Sequence, residues 1–501
     1  MRSVRRHHRL AAGLLLAPLL TGCFAAGEGA GDSSAKASAD GRRLRIALAF
    51  PPAENLSPYG ADATILSRLG VTEGLTRLDG NGSAAPALAE SWTRENDRTW
   101  LFTLRDARFQ DGTAVTPAAV ANSLTRATKA SPLPSALAGV ELTAKAAGDR
   151  RVRITTAEPD PVLPLRLAGP SLAVLAPKAY AKTTVNPVST ATGPFELTKV
   201  TGSTSAALDR FDDYWGGRAQ ASGIDAKFIA DGTARANALR TGEEDIAEAL
   251  PVSQAASLKK GTAREIGTAR TTSLLLNTRS GAFADPKVRA AARAAVDTSV
   301  LAKNVYEGYA DPGQGIFGPA LTWAKSKRVA PTGRPAAADV KGTTITLATY
   351  DNRPELPEVA QVLQQQLEKA GFTVKLTVRE YSRIESDALA GKFDAFISAR
   401  NTMLDTGDPV SILSSDYTCD GTYNLSRLCD KAVDKAVGAA DAIADPEKRQ
   451  DAAMAAEARI LSTDAVVPLV HQRNILGVAP SVQGALLDPY ERTLVATGTR
   501  R

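Results

Sequence analysis

Histidine is nearly absent: three residues in 501, two of them, His7 and His8, within the first ten. If that N-terminus is removed only His471 remains, so a triad through histidine has one candidate base, with no Gly-x-Ser-x-Gly elbow near it. A histidine-built metal centre is equally short of ligands. No phosphate loop ending in lysine occurs. Gly313, Gly315 and Gly318 in GQGIFG have the spacing of a dinucleotide fingerprint, but no evident strand precedes them and Pro319 follows at once, so they read as a flexible loop. The net charge is only +6 and basic residues are scattered, with no patch interleaved with aromatics, which excludes a nucleic-acid surface. No internal repeat is visible, which excludes a solenoid. Past Leu20 no run approaches the ~20 apolar residues of a membrane span.

Cysteine is scarce too, and each of the three has a context. Arg2, Arg5, Arg6 and Arg9 precede the apolar run from Ala11 to Leu20, an export signal too short to span a bilayer. Its end, Leu20-Thr21-Gly22-Cys23, matches the lipobox, in which cleavage leaves a diacylglycerol-bearing cysteine at the new N-terminus. Cys23 is therefore expected to be lipidated, with 1–22 as signal peptide. Arg5-Arg6 leaves Sec and twin-arginine export both open. Residues 23–43 are rich in Gly, Ala and Ser and have nothing to build a core, so they are expected to form a flexible tether. Cys419 and Cys429 stand ten apart in CDGTYNLSRLC; in an exported protein they are expected to be bridged.

The rest of the chain mixes strand and helix signals. LRIALAF alternates as a strand, and ATILSRLGVTEGLTRLD reads as a helix leading to a short strand. Thr116-Pro117, Asp285-Pro286 and Asp445-Pro446 each pair a capping side chain with a proline suited to a helix start. TTITLATY, a helical stretch, a glycine and FTVKLTVREY make a βαβ unit. The class is α/β, mixed and multidomain. Asp405 and Asp408 in LDTGDP have the residue types of a glycosidase pair, although the adjacent Gly and Pro favour a turn with a capping aspartate. A large exported chain without a catalytic constellation points to binding, with no cofactor.

VTEGLTRLDGNGSAAPALAESW, TWLFTLRDARFQDGTAVTPAAVANSL, ATGPFEL, FDDYWGG, GEEDIAEALP, DPKVRAAARAAVD and ADPEKRQDAAMAAEARILSTDAVVPLVH follow one another as in a known family. From about Leu44 to about Pro489 the chain resembles the extracytoplasmic solute-binding proteins of peptide and nickel ABC transporters, in lipoprotein form. The resemblance implies a two-lobed periplasmic-binding-protein-like fold of the class II, cluster C type with a third, additional domain. Domain I would combine 44–80, 190–268 and 478–501; domain II would be 81–189 and domain III 269–477. The protein would be a monomer on the outer face of the cytoplasmic membrane. It would deliver its ligand to permease subunits and their ATPases.

Within the family, the dipeptide binders are most similar to the C-terminal half. ATYDNRPELPE resembles the stretch whose arginine receives a peptide carboxylate, which implies Arg353; MLDTGDP resembles the turn whose aspartate receives the α-ammonium, which implies Asp405, beside Asp408. Opposite charges at the two ends would select a zwitterion. The cysteine loop resembles that subgroup's disulfide loop. Where those binders carry Gly-Trp this chain has SARNTML, placing Arg400 and Asn401 near the ligand and suggesting a more polar or acidic one. Two alternatives stay open: a nickel chelate or metallophore, for which only His471 offers an imidazole, and a cell-surface hydrolase using Asp405 and Asp408.

Overall fold

Near the head of the described residues, Leu44–Leu48 forms a strand in which every residue but Arg45 is buried. The structure, a computed structural model, describes residues 41–501. The expectations for Cys23, the signal peptide and most of the tether lie outside the described residues. Leu44–Leu48 pairs in parallel with Gly223–Phe228 and with Ile246–Ala247. These strands belong to an 11-stranded sheet that runs, in spatial order, Thr373–Arg379, Thr344–Tyr350, Ala395–Asn401, Ala263–Leu276, Val466–Val478, Ile246–Ala247, Leu44–Leu48, Gly223–Phe228, Ser205–Arg210 and Phe195–Thr201. Ala310–Pro312 is added beside Val466–Val478.

The two longest strands, Ala263–Leu276 and Val466–Val478, lie antiparallel in the middle of this sheet. Their register shifts between Gly267 and Thr271 and again between Thr272 and Ser273. Such irregularities bend and twist a strand pair locally. On one side of them stands the expected βαβ unit: Thr344–Tyr350, helix Glu355–Lys369 and Thr373–Arg379, paired in parallel. Gly371 ends that helix at φ +112°, a backbone angle that any side chain would strain.

A separate antiparallel sheet is ordered Ala89–Asn96, Thr99–Leu104, Arg151–Thr156, Leu142–Ala146. Helix Pro117–Ala127 packs on it, its N-terminus capped by Thr116 Oγ1, which accepts from the Ala119 N–H at 3.2 Å. The Asp285-Pro286 and Asp445-Pro446 starts behave alike, each aspartate accepting a first-turn N–H, at 2.8 and 2.9 Å. One buried cluster draws on 269–470 together with Tyr490. A second draws on 44–246 together with 476–495, so the four-stranded sheet shares its core with strands of the large one.

Two details differ from expectation. A three-residue strand, Ala310–Pro312, does precede GQGIFG. The loop is also packed, with Ile316 and Phe317 buried and the Gln314 and Phe317 N–H groups bonded to His471 and Glu457. No helix opens on it, so it has no dinucleotide geometry.

Candidate functional site

A cavity of about 880 Å³ lies between residues 59–64, 132–140 and 166–171 on one side and 381–441 on the other. That volume falls toward the upper end of the ~300–1,000 Å³ typical of small-molecule sites. Strand Ala395–Asn401 carries Arg400 to its wall, and the turn that follows carries Asp405. Helix Tyr381–Leu389 contributes Tyr381 and Glu385, and the loop between Cys419 and Cys429 contributes Asp420 and Tyr423. The expected disulfide Cys419–Cys429 is formed and closes that loop.

Arg400 is the electrostatic centre of this wall. It pairs with Asp405 at 3.2 Å and with the buried Asp416 at 3.1 Å, and its guanidinium lies 4.7 Å from the centre of the Tyr423 ring. Burial disfavours its charge, but the Asp416 and Asp405 carboxylates outweigh burial and hold its pKa well above the ordinary arginine value. Beside it the Tyr423 and Tyr381 hydroxyls share a hydrogen bond, and the Tyr381 hydroxyl also bonds the Glu385 carboxylate. Across the cavity, Ser135 Oγ donates to Asp405 Oδ1 at 3.2 Å.

The structure brings Arg400 and Asp405 together and sets the other expected residues elsewhere. Asp408 is fully buried: it accepts from the Arg449 Nε and Nη2 groups, both at 2.7 Å, and caps helix Pro409–Tyr417 through the Ser411 N–H at 2.9 Å. It is the capping aspartate its Gly-Asp-Pro context suggests, and it is corrected from ligand contact to structural ion pair. Asn401 is likewise buried, its amide donating to the Tyr490 carbonyl at 3.3 Å and its Oδ1 accepting from the Met403 N–H at 3.0 Å. Neither residue lines the cavity.

Arg353, just past the end of strand Thr344–Tyr350, lines two smaller hollows of about 50 and 30 Å³ and not the large one. Its neighbours there include Phe50, whose ring centre is 5.8 Å away, and Glu491. Glu491 is already held by Arg270, through bonds of 3.1 and 2.8 Å. Burial opposes the Glu491 charge, yet Arg270, Arg353 and Arg68 outweigh it and bring its pKa down to about 2. Desolvation and the nearby Arg270 push the Arg353 pKa down.

His471 is buried outside the large cavity. Its Nε2 accepts from the Gln314 N–H at 3.1 Å, so its Nδ1, 3.0 Å from Thr271 Oγ1, carries the proton and donates. Thr271 Oγ1 in turn donates to the Ile316 carbonyl at 2.8 Å. Both nitrogens are thus engaged, and burial with Arg328 nearby lowers the pKa to about 4. The imidazole foreseen for a nickel ligand is committed to the fold.

Sequence reading missed Tyr381, Glu385, Asp416 and Ser135. Tyr423 and Asp420 lie in a stretch singled out only for its cysteines; a tyrosine inside a short disulfide loop was the available signal.

A walled cavity of this size, with a few charged side chains converging on it, is the geometry of a small-molecule binding site. A model of "Bacterial extracellular solute-binding proteins, family 5 Middle" matches residues 83–424, and the chain belongs to that family. The nickel-binding protein NikA of Staphylococcus aureus is 27% identical over 425 residues, covering 82% of this chain and 84% of that protein. Its crystal structure with Ni(L-His)2 gives a TM-score of 0.79 at 23% identity, covering 92% of this chain and 100% of the other. The glutathione-binding protein GsiB of Shigella dysenteriae serotype 1 is 28% identical over 471 residues, 87% of this chain and 90% of that one. OppA of Haemophilus influenzae, in complex with the peptide RPPGFSPFR, gives a TM-score of 0.76 at 21% identity, covering 92% and 99% of the two chains. The chain is thus a solute-binding component of an ABC importer and not an enzyme.

Proposed function

We propose that the protein captures short peptides in the 880 Å³ cavity and delivers them to permease subunits driven by their ATPases. The observation that carries this is the cavity itself: two walls from distant parts of the chain, with Asp405 and Arg400 on one of them and tyrosines beside both. Residues 44–80, 190–268 and 478–501 act with 81–189 as one side and 269–477 as the other. They close on the ligand by bending at Ala263–Leu276 and Val466–Val478, where the register irregularities lie. The protein works as a monomer, tethered by a lipid on Cys23 to the outer face of the membrane; the two chains of a diacylglycerol suit stable retention.

The likeness to NikA favours a second reading, a nickel chelate. Such a ligand would have to be held without His471, whose nitrogens are occupied. Calorimetry separates the two. Heat with di- to pentapeptides that is lost in Asp405→Asn supports the peptide reading, whereas heat with nickel–histidine complex alone replaces it. For the anchor, Cys23→Ser should release the protein into the medium with ligand affinity intact; retention in the membrane fraction sinks that assignment.

A further inference from the structure

The charges on the cavity wall are unequal. Four carboxylates line it, Glu385, Asp405, Asp420 and Asp441, against two guanidiniums, Arg166 and Arg400. Both guanidiniums are already neutralised. Arg166 pairs with the buried Asp160 at 2.8 Å and donates to the Ala136 carbonyl at 2.7 Å. Arg400 is shared by Asp405 and Asp416, two carboxylates on one cation. Arg449, behind the wall, is shared in the same way by Asp408 and Asp441, both at 2.7 Å. Among the described residues Asp420 has no ion pair, and Glu385 has only the Tyr381 hydroxyl.

The suggestion from Arg400 and Asn401 that the pocket suits an acidic ligand is therefore reversed. Asn401 is not in the wall, and Arg400 has no unmatched charge to offer an anion. A hollow lined with excess charge of one sign concentrates its field inside and attracts the opposite charge. The ring of Tyr423, on the same loop as Asp420, already takes one guanidinium on its face, which is how aromatic rings receive cations. The volume leaves room for ligand side chains as well as backbone, so a ligand's side-chain charge faces these walls.

We propose that the cavity selects peptides of net positive charge, setting a lysine or arginine side chain against Glu385 and Asp420 beside Tyr423. This rests on the peptide-binding role proposed above. The test is calorimetry on the full-length protein with three pentapeptides of identical length and apolar content, bearing two lysines, two alanines or two glutamates. The lysine peptide should bind at least ten-fold tighter than the alanine peptide, and the glutamate peptide more weakly than either. The lysine preference should shrink as salt is raised from about 20 to 200 mM, since added ions screen the attraction. In Glu385→Gln/Asp420→Asn the ten-fold ratio should collapse toward one. In Asp106→Asn, which removes an exposed carboxylate outside the cavity, it should persist. Equal or tighter binding of the neutral or acidic peptide overturns the charge selection while leaving peptide capture standing. A preference that survives the double variant overturns the assignment to these two residues. Heat with none of the peptides but with nickel–histidine complex overturns the peptide role itself.

Discussion

Ser135 and Asp405, 270 positions apart in sequence, meet across the cavity at 3.2 Å, hydroxyl to carboxylate. One belongs to a short 3-10 turn, Ser135–Leu137, and the other to the turn after strand Ala395–Asn401. A ligand ammonium that takes Asp405 must compete with that hydroxyl and with Arg400. Removing the competitor and removing the carboxylate should therefore act in opposite directions. Ser135→Ala should tighten peptide binding by a few-fold, within the ~0.5–1.5 kcal/mol of one hydrogen bond. Asp405→Asn should weaken it at least ten-fold. Calorimetry with one peptide reads both, and weakening by both variants would show that Ser135 helps to hold the ligand.

Asp408 and Arg449 are a stability pair and not a binding pair. Both are buried, at 0% and 3% side-chain exposure, and burial raises the cost of leaving either charge alone. Asp408→Ala should destabilise by about 3–5 kcal/mol. Asp408→Ala with Arg449→Met should cost clearly less than the two single changes added together. Urea unfolding measures this, and additive losses would contradict the coupling. Peptide affinity of Asp408→Asn should match the parent's.

His471 makes the fold sensitive to acid. Its pKa is about 4 in the folded protein, below the ordinary 6.5, because burial keeps the ring neutral. Below pH ~6.5 the unfolded chain takes up a proton that the folded one refuses, so its contribution to stability is lost as pH falls, until the folded ring protonates near 4. The full loss is about 3 kcal/mol. His471→Gln should flatten that part of the profile: urea midpoints at pH 7, 5.5 and 4.5 should fall less steeply than the parent's. Parallel profiles would remove His471 as the cause.

The disulfide loop should matter for both stability and ligand. Its ten-residue separation implies about 2–3 kcal/mol of loop-closure stabilisation. Cys419→Ala/Cys429→Ala should lower the urea midpoint accordingly and weaken peptide binding, because Asp420 and Tyr423 stand on the freed loop. Unchanged affinity would mean that packing alone holds those two side chains.

Much of the fold was legible because its signals are local. A capping aspartate and a proline act within one helical turn, so the starts at 285 and 445 needed no tertiary information. The βαβ unit followed from a strand, a helix and a glycine stop in succession. The ordered motif blocks led to the family that the comparisons establish.

The site was legible only in part. The LDTGDP turn contains one aspartate facing the cavity and one facing away, and the sequence does not distinguish a carboxylate that meets solvent from one that meets Arg449, 41 positions later. Arg400 was foreseen, but its neutralisation by Asp416 depends on where helix Pro409–Tyr417, packed on helices Lys431–Asp441 and Pro446–Ser462, sets that carboxylate. The amino-acid sequence by itself determined the class, the helix starts and the order of family motifs, since these reside in neighbouring residues. Only the tertiary structure decided which charges remain unpaired in the cavity. An ion pair depends on distances between segments that the chain brings together after long separations.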